Sequence, residues 1–232
     1  MTHSSPAGQS EGHGTLGQLG CERARWQCWC ANTKGTAVRI LIIYGSTEGH
    51  TEDLAGFIGS ALREDGQEVI VRDSADKATL PDPCTYDLIF VAASLHIGRY
   101  QPALIDFVRA HHGTFNEMPT AFISVSLSAA GESPDDWEGL EQCTRRFLQE
   151  TMWIPKAMHH AAGAIRYSKY DFFKRLAIKY IARQRGQETV TSRDYDLTDY
   201  PALKNFALAF AHDWVRKHGR RSQTLPLISR DA

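Results

Sequence analysis

The sequence predicts an α/β fold, a three-layer sandwich in which a five-stranded parallel sheet in the order 2-1-3-4-5 lies between layers of helices. Three observations predict it. The apolar runs Val38–Tyr44, Asp87–Ala93 and Thr120–Ser126 are nearly continuous rather than alternating, as in strands covered on both faces. Each run ends in a loop of small residues and is followed by a helical pattern. Strands that alternate with helices form parallel sheets through right-handed crossovers. In this strand order a ligand sits at the carboxyl ends of the strands that flank the switch point, here the first and the third.

The elements follow in order. After the first strand, Leu54, Phe57, Ile58, Ala61 and Leu62 recur at helical spacing, and Gly66 stops the helix. Glu68–Arg72 is a short second strand, and residues 74–85, with Pro81 and Pro83, form a loop. The third strand at 87–93 leads through Ser94–Tyr100 to a helix opened by Pro102. It carries Leu104, Ile105, Phe107 and Val108. The fourth strand at 120–126 is followed by a Ser/Ala/Gly loop. Ser133 then caps a helix with Pro134 at its first position and Trp137, Leu140, Phe147 and Leu148 on one face. His159–Ile165 is the fifth strand. The last helix starts near 198–201 and buries Leu203, Phe206, Ala207, Phe210 and Trp214.

Composition limits the function classes. At 232 residues, with 42% hydrophobic residues and a formal net charge of −1, the chain fits one domain and bears no general nucleic-acid signature. We expect a domain over residues 37–218, an N-terminal extension at 1–36 without helical or strand periodicity, and a basic tail at 219–232. Nowhere do 18 apolar residues run together, and the first residues lack a basic-then-apolar leader. The expected location is therefore cytoplasmic, on or off the inner face of the cell membrane. Cys21, Cys28, Cys30, Cys84 and Cys143 form no disulfide framework or common zinc spacing, and unmodified thiols are expected. The histidines form no metal pattern.

The loop Gly45–Thr51 is where chemistry first becomes legible. It contains neither a phosphate-binding lysine motif nor the Gly-x-Gly-x-x-Gly fingerprint. What it offers is neutral donors, Ser46, Thr47 and Thr51, together with the backbone amides of a helix start. That set suits a single terminal phosphate, and it also suits an ordinary capped helix.

Gly45–Thr51 closely resembles the phosphate loop of flavodoxins. From about residue 38 to 214 the chain resembles, more particularly, the menaquinone-dependent protoporphyrinogen IX dehydrogenase family. The matching stretches are Ala93–Tyr100, Met118–Val125 and Ala162–Tyr167, followed by the aromatic and basic texture of Tyr170–Lys179 and by Gly186–Glu188. The resemblance implies a flavodoxin-like fold, FMN as cofactor, and oxidation of protoporphyrinogen IX with a quinone as acceptor, in haem biosynthesis. An FMN electron carrier or sensor is the competing reading. By the same resemblance Ser46, Thr47, Glu48, Gly49, His50 and Thr51 surround the phosphate. Ser94, Leu95, His96, Ile97 and Gly98, with Ser126, Leu127, Ser128, Ala129 and Ala130, flank the ribityl chain and the ring. Gly163 and Arg166 lie beside the ring or the substrate.

Two stretches bear on partners. Residues 166–185 hold seven basic side chains and one acidic, interleaved with Phe172, Phe173, Leu176, Ile178, Tyr180 and Ile181. Such an extra amphipathic helix can lie on an anionic membrane surface or pack on the core with a basic outer face. The stretch 129–141 departs from the family in carrying Glu132, Asp135, Asp136, Glu138 and Glu141 without a lysine or arginine. That charge would repel a dicarboxylate substrate, unless it serves the start of a helix. A homo-oligomer is compatible with the sequence.

Overall fold

The computed structural model describes residues 37–131, 133–165 and 195–218. Five strands, β1 (Arg39–Gly45), β2 (Glu68–Asp73), β3 (Leu88–Ser94), β4 (Thr120–Ser126) and β5 (Ala157–Ala162), form one sheet in the order β2-β1-β3-β4-β5. Every pairing is parallel. The helices are α1 (His50–Glu64), α2 (Pro102–Ala110), α3 (His112–Glu117), α4 (Pro134–Thr151) and α5 (Tyr200–His218).

Alternation along the strands divides the core in two, because successive side chains point to opposite faces. Ile40, Ile42, Leu88, Phe90, Ala121 and Ile123 pack on one face with Leu54, Ile58 and Leu62 of α1 and Leu203, Ala207 and Ala211 of α5. Leu41, Ile43, Ile89, Val91 and Phe122 pack on the other with Leu104 and Phe107 of α2, Phe115 of α3 and Phe147 of α4. The continuous apolar runs are thus explained by two buried faces.

The second face has a polar lock inside its aromatic cluster. Trp153, 1% exposed, donates from Nε1 to Thr120 Oγ1 at 2.9 Å, while Thr120 donates to the Phe115 carbonyl at 3.1 Å. The Tyr100 hydroxyl is hydrogen-bonded to Ser124 and Thr144 at 2.8 and 3.1 Å. Each polar side chain of this lock has a partner, so its burial carries little desolvation cost.

The helix signals mostly act as expected. Gly66 takes φ +89° just past α1, a left-handed position that glycine adopts without strain. Ser133 Oγ accepts from the Asp136 amide at 3.3 Å and donates to the Asp136 carboxylate at 2.6 Å. Asp135 and Asp136 lie in the first turn of α4, where the helix dipole favours acid groups.

Three expectations need correction. The fifth strand runs over 157–162 rather than 159–165. The Gly163 amide donates to the Ser126 carbonyl at 3.0 Å, and the chain then leaves the sheet. Ala164–Ile165 (β6) pairs antiparallel with Tyr195–Asp196 (β7) instead. α3 was not foreseen, since its single apolar anchor, Phe115, makes no periodic pattern. Among the cysteines, Cys143 is free but Cys84 is disulfide-bonded. The extension at 1–36, the basic segment 166–185 and the tail at 219–232 lie outside the described residues.

The edge strand β5 carries two histidines on opposite faces. His159 stacks on Phe206 of α5 with ring centroids 5.0 Å apart, and His160 meets Trp137 of α4 edge-on at 5.9 Å. Burial, chiefly, pushes both imidazoles below their ordinary value of 6.5. The unfolded chain therefore binds protons that the folded chain refuses, and stability falls as pH drops below about 6.5 through the depressed folded values. Denaturation midpoints measured from pH 7 to 5 should decline, and a His159→Gln, His160→Gln double variant should flatten that decline.

Candidate functional site

The carboxyl ends of β1, β3 and β4 open into one cleft. Its walls include Ser46, Thr47, Glu48, His50 and Thr51 from the first loop. Ser94, Leu95, His96, Ile97 and Gly98 come from the second, and Ser126, Leu127 and Ser128 from the third, with Gly163 beyond β5. Loops separated by up to about a hundred residues in sequence meet because the strand order reverses between β1 and β3.

The first loop presents open donors at a helix start. Ser46 Oγ accepts from the Gly49 amide at 2.9 Å. Gly49 takes φ +89° and caps α1 without any side-chain cap. The amides of the first helical turn therefore have no intrahelical acceptor. Beside them Thr51, 1% exposed, buries a hydroxyl oxygen that has no hydrogen-bond partner. A buried hydroxyl left unmatched at a helix start is a donor set waiting for an acceptor. Among the described residues no lysine or arginine lines this cleft, and the donors they offer a phosphate are neutral groups and the helix dipole. Glu48 buries one carboxylate oxygen without a hydrogen-bond partner, which sets a limit on how much negative charge the loop accepts.

Two cross-links hold the loops in place. Gln101 donates from Nε2 to Thr47 Oγ1 at 2.9 Å and to Ser94 Oγ at 2.6 Å, clamping the first loop to the second. It passes so close to β1 that a Cβ on Gly45 would lie 2.8 Å from Gln101 Oε1, which accounts for a glycine there. The second cross-link starts at His50. Thr198 spends its hydroxyl proton on the Ala162 carbonyl at 2.8 Å. Its oxygen therefore accepts from His50 Nε2 at 3.0 Å, and Nε2 must carry a proton. Asp196 Oδ1 lies 3.7 Å from the same nitrogen. Burial pushes the Asp196 carboxyl up, but hydrogen bonds from Tyr200 and Thr198 and the charge of His50 outweigh it and hold the carboxyl below its ordinary value.

The second loop ends in a tight turn. His96 and Arg99 exchange backbone hydrogen bonds at 2.9 and 3.0 Å, with Ile97 at φ +49° and Gly98 at φ +73° between them. Two successive positive φ values suit Asn-Gly or Gly-Gly, and a β-branched residue there is strained. Ile97 is 78% exposed, so the strain serves no core packing. It presents an apolar side chain at the cleft mouth. With Leu95 and Leu127 it offers the faces a flat ring requires, while Thr51 and the α1 amides offer what a phosphate requires. The residues present fit FMN.

The expected residues are not all wall residues. Gly49 supplies the left-handed turn. Ala129 donates its amide to Ser126 Oγ at 3.2 Å and, with Ala130, forms the short 3-10 turn behind the third loop. Arg166 lies outside the described residues. Val125 and Ala164 also line the cleft, and Gln101, Asp196 and Thr198 brace it. The only local hint of Gln101 was its place before Pro102. Asp196 and Thr198 gave none, being 146 and 148 positions from His50.

Thr51→Val should weaken FMN binding about tenfold, the effect of losing a hydrogen bond to a charged group. Riboflavin, which has no phosphate, should bind both proteins alike in a flavin-fluorescence titration.

Residues 41–192 match the flavodoxin domain family. The chain is 33% identical over 177 residues to protoporphyrinogen IX dehydrogenase (quinone) of Escherichia coli strain K12, spanning 75% of this chain and 96% of that one. It is 31% identical over 176 residues to the protein of the same name from Leishmania major, spanning 75% and 74% respectively. Oxidised flavodoxin 2 from Bacillus cereus aligns with 75% of this chain and 99% of its own at 19% identity and a TM-score of 0.45. The family match over residues 41–192 and the relatives at 31–33% identity agree with a parallel sheet in the order 2-1-3-4-5: the chain belongs to the flavodoxin domain family.

Proposed function

We propose that this protein is an FMN-dependent dehydrogenase that oxidises protoporphyrinogen IX to protoporphyrin IX and delivers the electrons to a quinone. The observation that carries this reading is identity of 33% across 96% of a protoporphyrinogen IX dehydrogenase (quinone). The fit of the three-loop cleft to FMN supports it. Bound FMN would supply two-electron redox chemistry. The substrate gives up six electrons and six protons, so three quinones are reduced to quinols for each porphyrin.

The protein's own part is binding, orientation and access. Ser46, Thr47 and Thr51, with the α1 amides, would hold the phosphate. Leu95, Ile97 and Leu127 would flank the ring and keep water from it. The Gln101 clamp and the His50–Thr198 link would hold the loops at a fixed spacing, so that the reacting faces need no rearrangement.

Access to a membrane quinone would come from a peripheral surface. No helix among the described residues is long and apolar enough to cross a bilayer. The composition of 166–185, basic and aromatic, suits binding to an anionic surface, at roughly 1 kcal/mol for each basic residue near it.

Purified protein should be yellow and should oxidise protoporphyrinogen IX anaerobically only when a quinone is added. Holoprotein that leaves the porphyrinogen untouched with quinone present would end this reading. Co-sedimentation with vesicles containing anionic lipid, lost in 0.5 M salt on the order expected from screening, would establish the peripheral contact. Binding to neutral vesicles alone would count against it.

A further inference from the structure

A second groove adjoins the cleft. It runs between α2 and α4 beneath the turn at residues 96–99, and Gly98 lines both cavities. Gly98 faces Cys143 there, and a Cβ on it would lie in ordinary contact, 3.8 Å from Cys143 Sγ. Three arginines face the groove: Arg99, Arg109 and Arg146. Its two acids are already used. Glu150 Oε1 is 2.7 Å from Arg109 Nη2, and Asp106 Oδ1 is 3.5 Å from Arg109 Nη1. Arg99 and Arg146 make no ion pair among the described residues, and both are exposed.

Arg99 and Arg146 are thus two cations without carboxylate partners, placed next to the mouth of a redox cleft. Guanidinium groups bind carboxylates through paired, charge-assisted hydrogen bonds. Between groove and cleft stands the exposed Ile97, held out by a strained turn, as an apolar rest for the body of the same ligand. The acid groups at the start of α4 do not cancel this field. Asp136 and Arg146 are ten residues apart on one helix, about 15 Å along its axis, beyond the screening length of about 8 Å at physiological salt. Glu141, five residues from Arg146, projects about 140° away round the helix, on the side of His160.

We propose that this groove is a carboxylate subsite, in which Arg99 and Arg146 receive the propionates of a dicarboxylate tetrapyrrole whose ring edge rests over Ile97. This rests on the reading that the protein oxidises protoporphyrinogen. It locates the positive charge that the acidic stretch at 129–141 lacks.

The test compares wild-type holoprotein with Arg99→Gln, Arg146→Gln and the double variant, checking FMN content in each. Anaerobic turnover is measured with protoporphyrinogen IX and with its dimethyl ester, quinone being saturating. Binding of protoporphyrin IX is measured separately by quenching of its fluorescence. Each substitution should raise KM for the diacid about fivefold or more, the loss of one charge-assisted contact. The preference for diacid over diester should shrink in the double variant, and Arg146→Lys should restore part of it. Turnover by the wild type with KM and diester preference unchanged in the double variant would overturn the subsite while leaving the proposed reaction intact. Wild-type protein that binds protoporphyrin IX through these arginines but turns over no porphyrinogen would keep the subsite and sink the reaction. Loss of anionic-vesicle binding without any change in KM would mark the groove as a lipid-headgroup site and overturn the proposal.

Discussion

The structure depends on the pairing of β1 with β3 in the middle of the sheet. Ile40–Gly45 lies in parallel register with Leu88–Ala93, and both strands are buried on both faces. Such strands can satisfy their backbone groups only within the sheet, so this pair cannot slip without exposing unmatched amides and apolar side chains together. At its carboxyl end the two chains part, one toward α1 and the other toward α2. The gap left there is the cleft.

Precision in that gap comes from side chains that belong to neither phosphate nor ring. Gln101 clamps two loops across the switch point, and Gly45 makes room for it. His50, Thr198 and the Ala162 carbonyl form a chain that ties the first loop to the end of β5 and to the β6–β7 pair. β6 thereby stands beside the cleft, where Ala164 is itself a wall residue. A helix start with open amides is a common feature. Here it is held at a set distance from two other loops.

Charge is distributed by element rather than by composition. The net charge of −1 conceals an acidic first turn on α4, where Asp136 and Ser133 cap the helix, and a basic stretch farther along the same helix. The acid run at 129–141, which in sequence looks hostile to a dicarboxylate, includes groups occupied with helix capping. The arginines facing the neighbouring groove come from three different stretches of chain.

The amino-acid sequence by itself determined the layers, the strand order and the small-residue loop before α1. Strand runs buried on both faces, helix-capping residues and a small-residue loop before a helix are local signals, and local physics makes them. It did not determine the end of β5, because an Ala- and Gly-rich run carries no periodicity and Gly163 leaves the sheet through a bond to Ser126. Nor did it reveal α3, which has one buried anchor. Only the tertiary structure decided that Gln101 and Thr198 brace the cleft and that Arg99 and Arg146 share a groove. These are contacts between residues far apart in sequence, and no pattern of spacing along the chain encodes a meeting that sheet topology alone brings about.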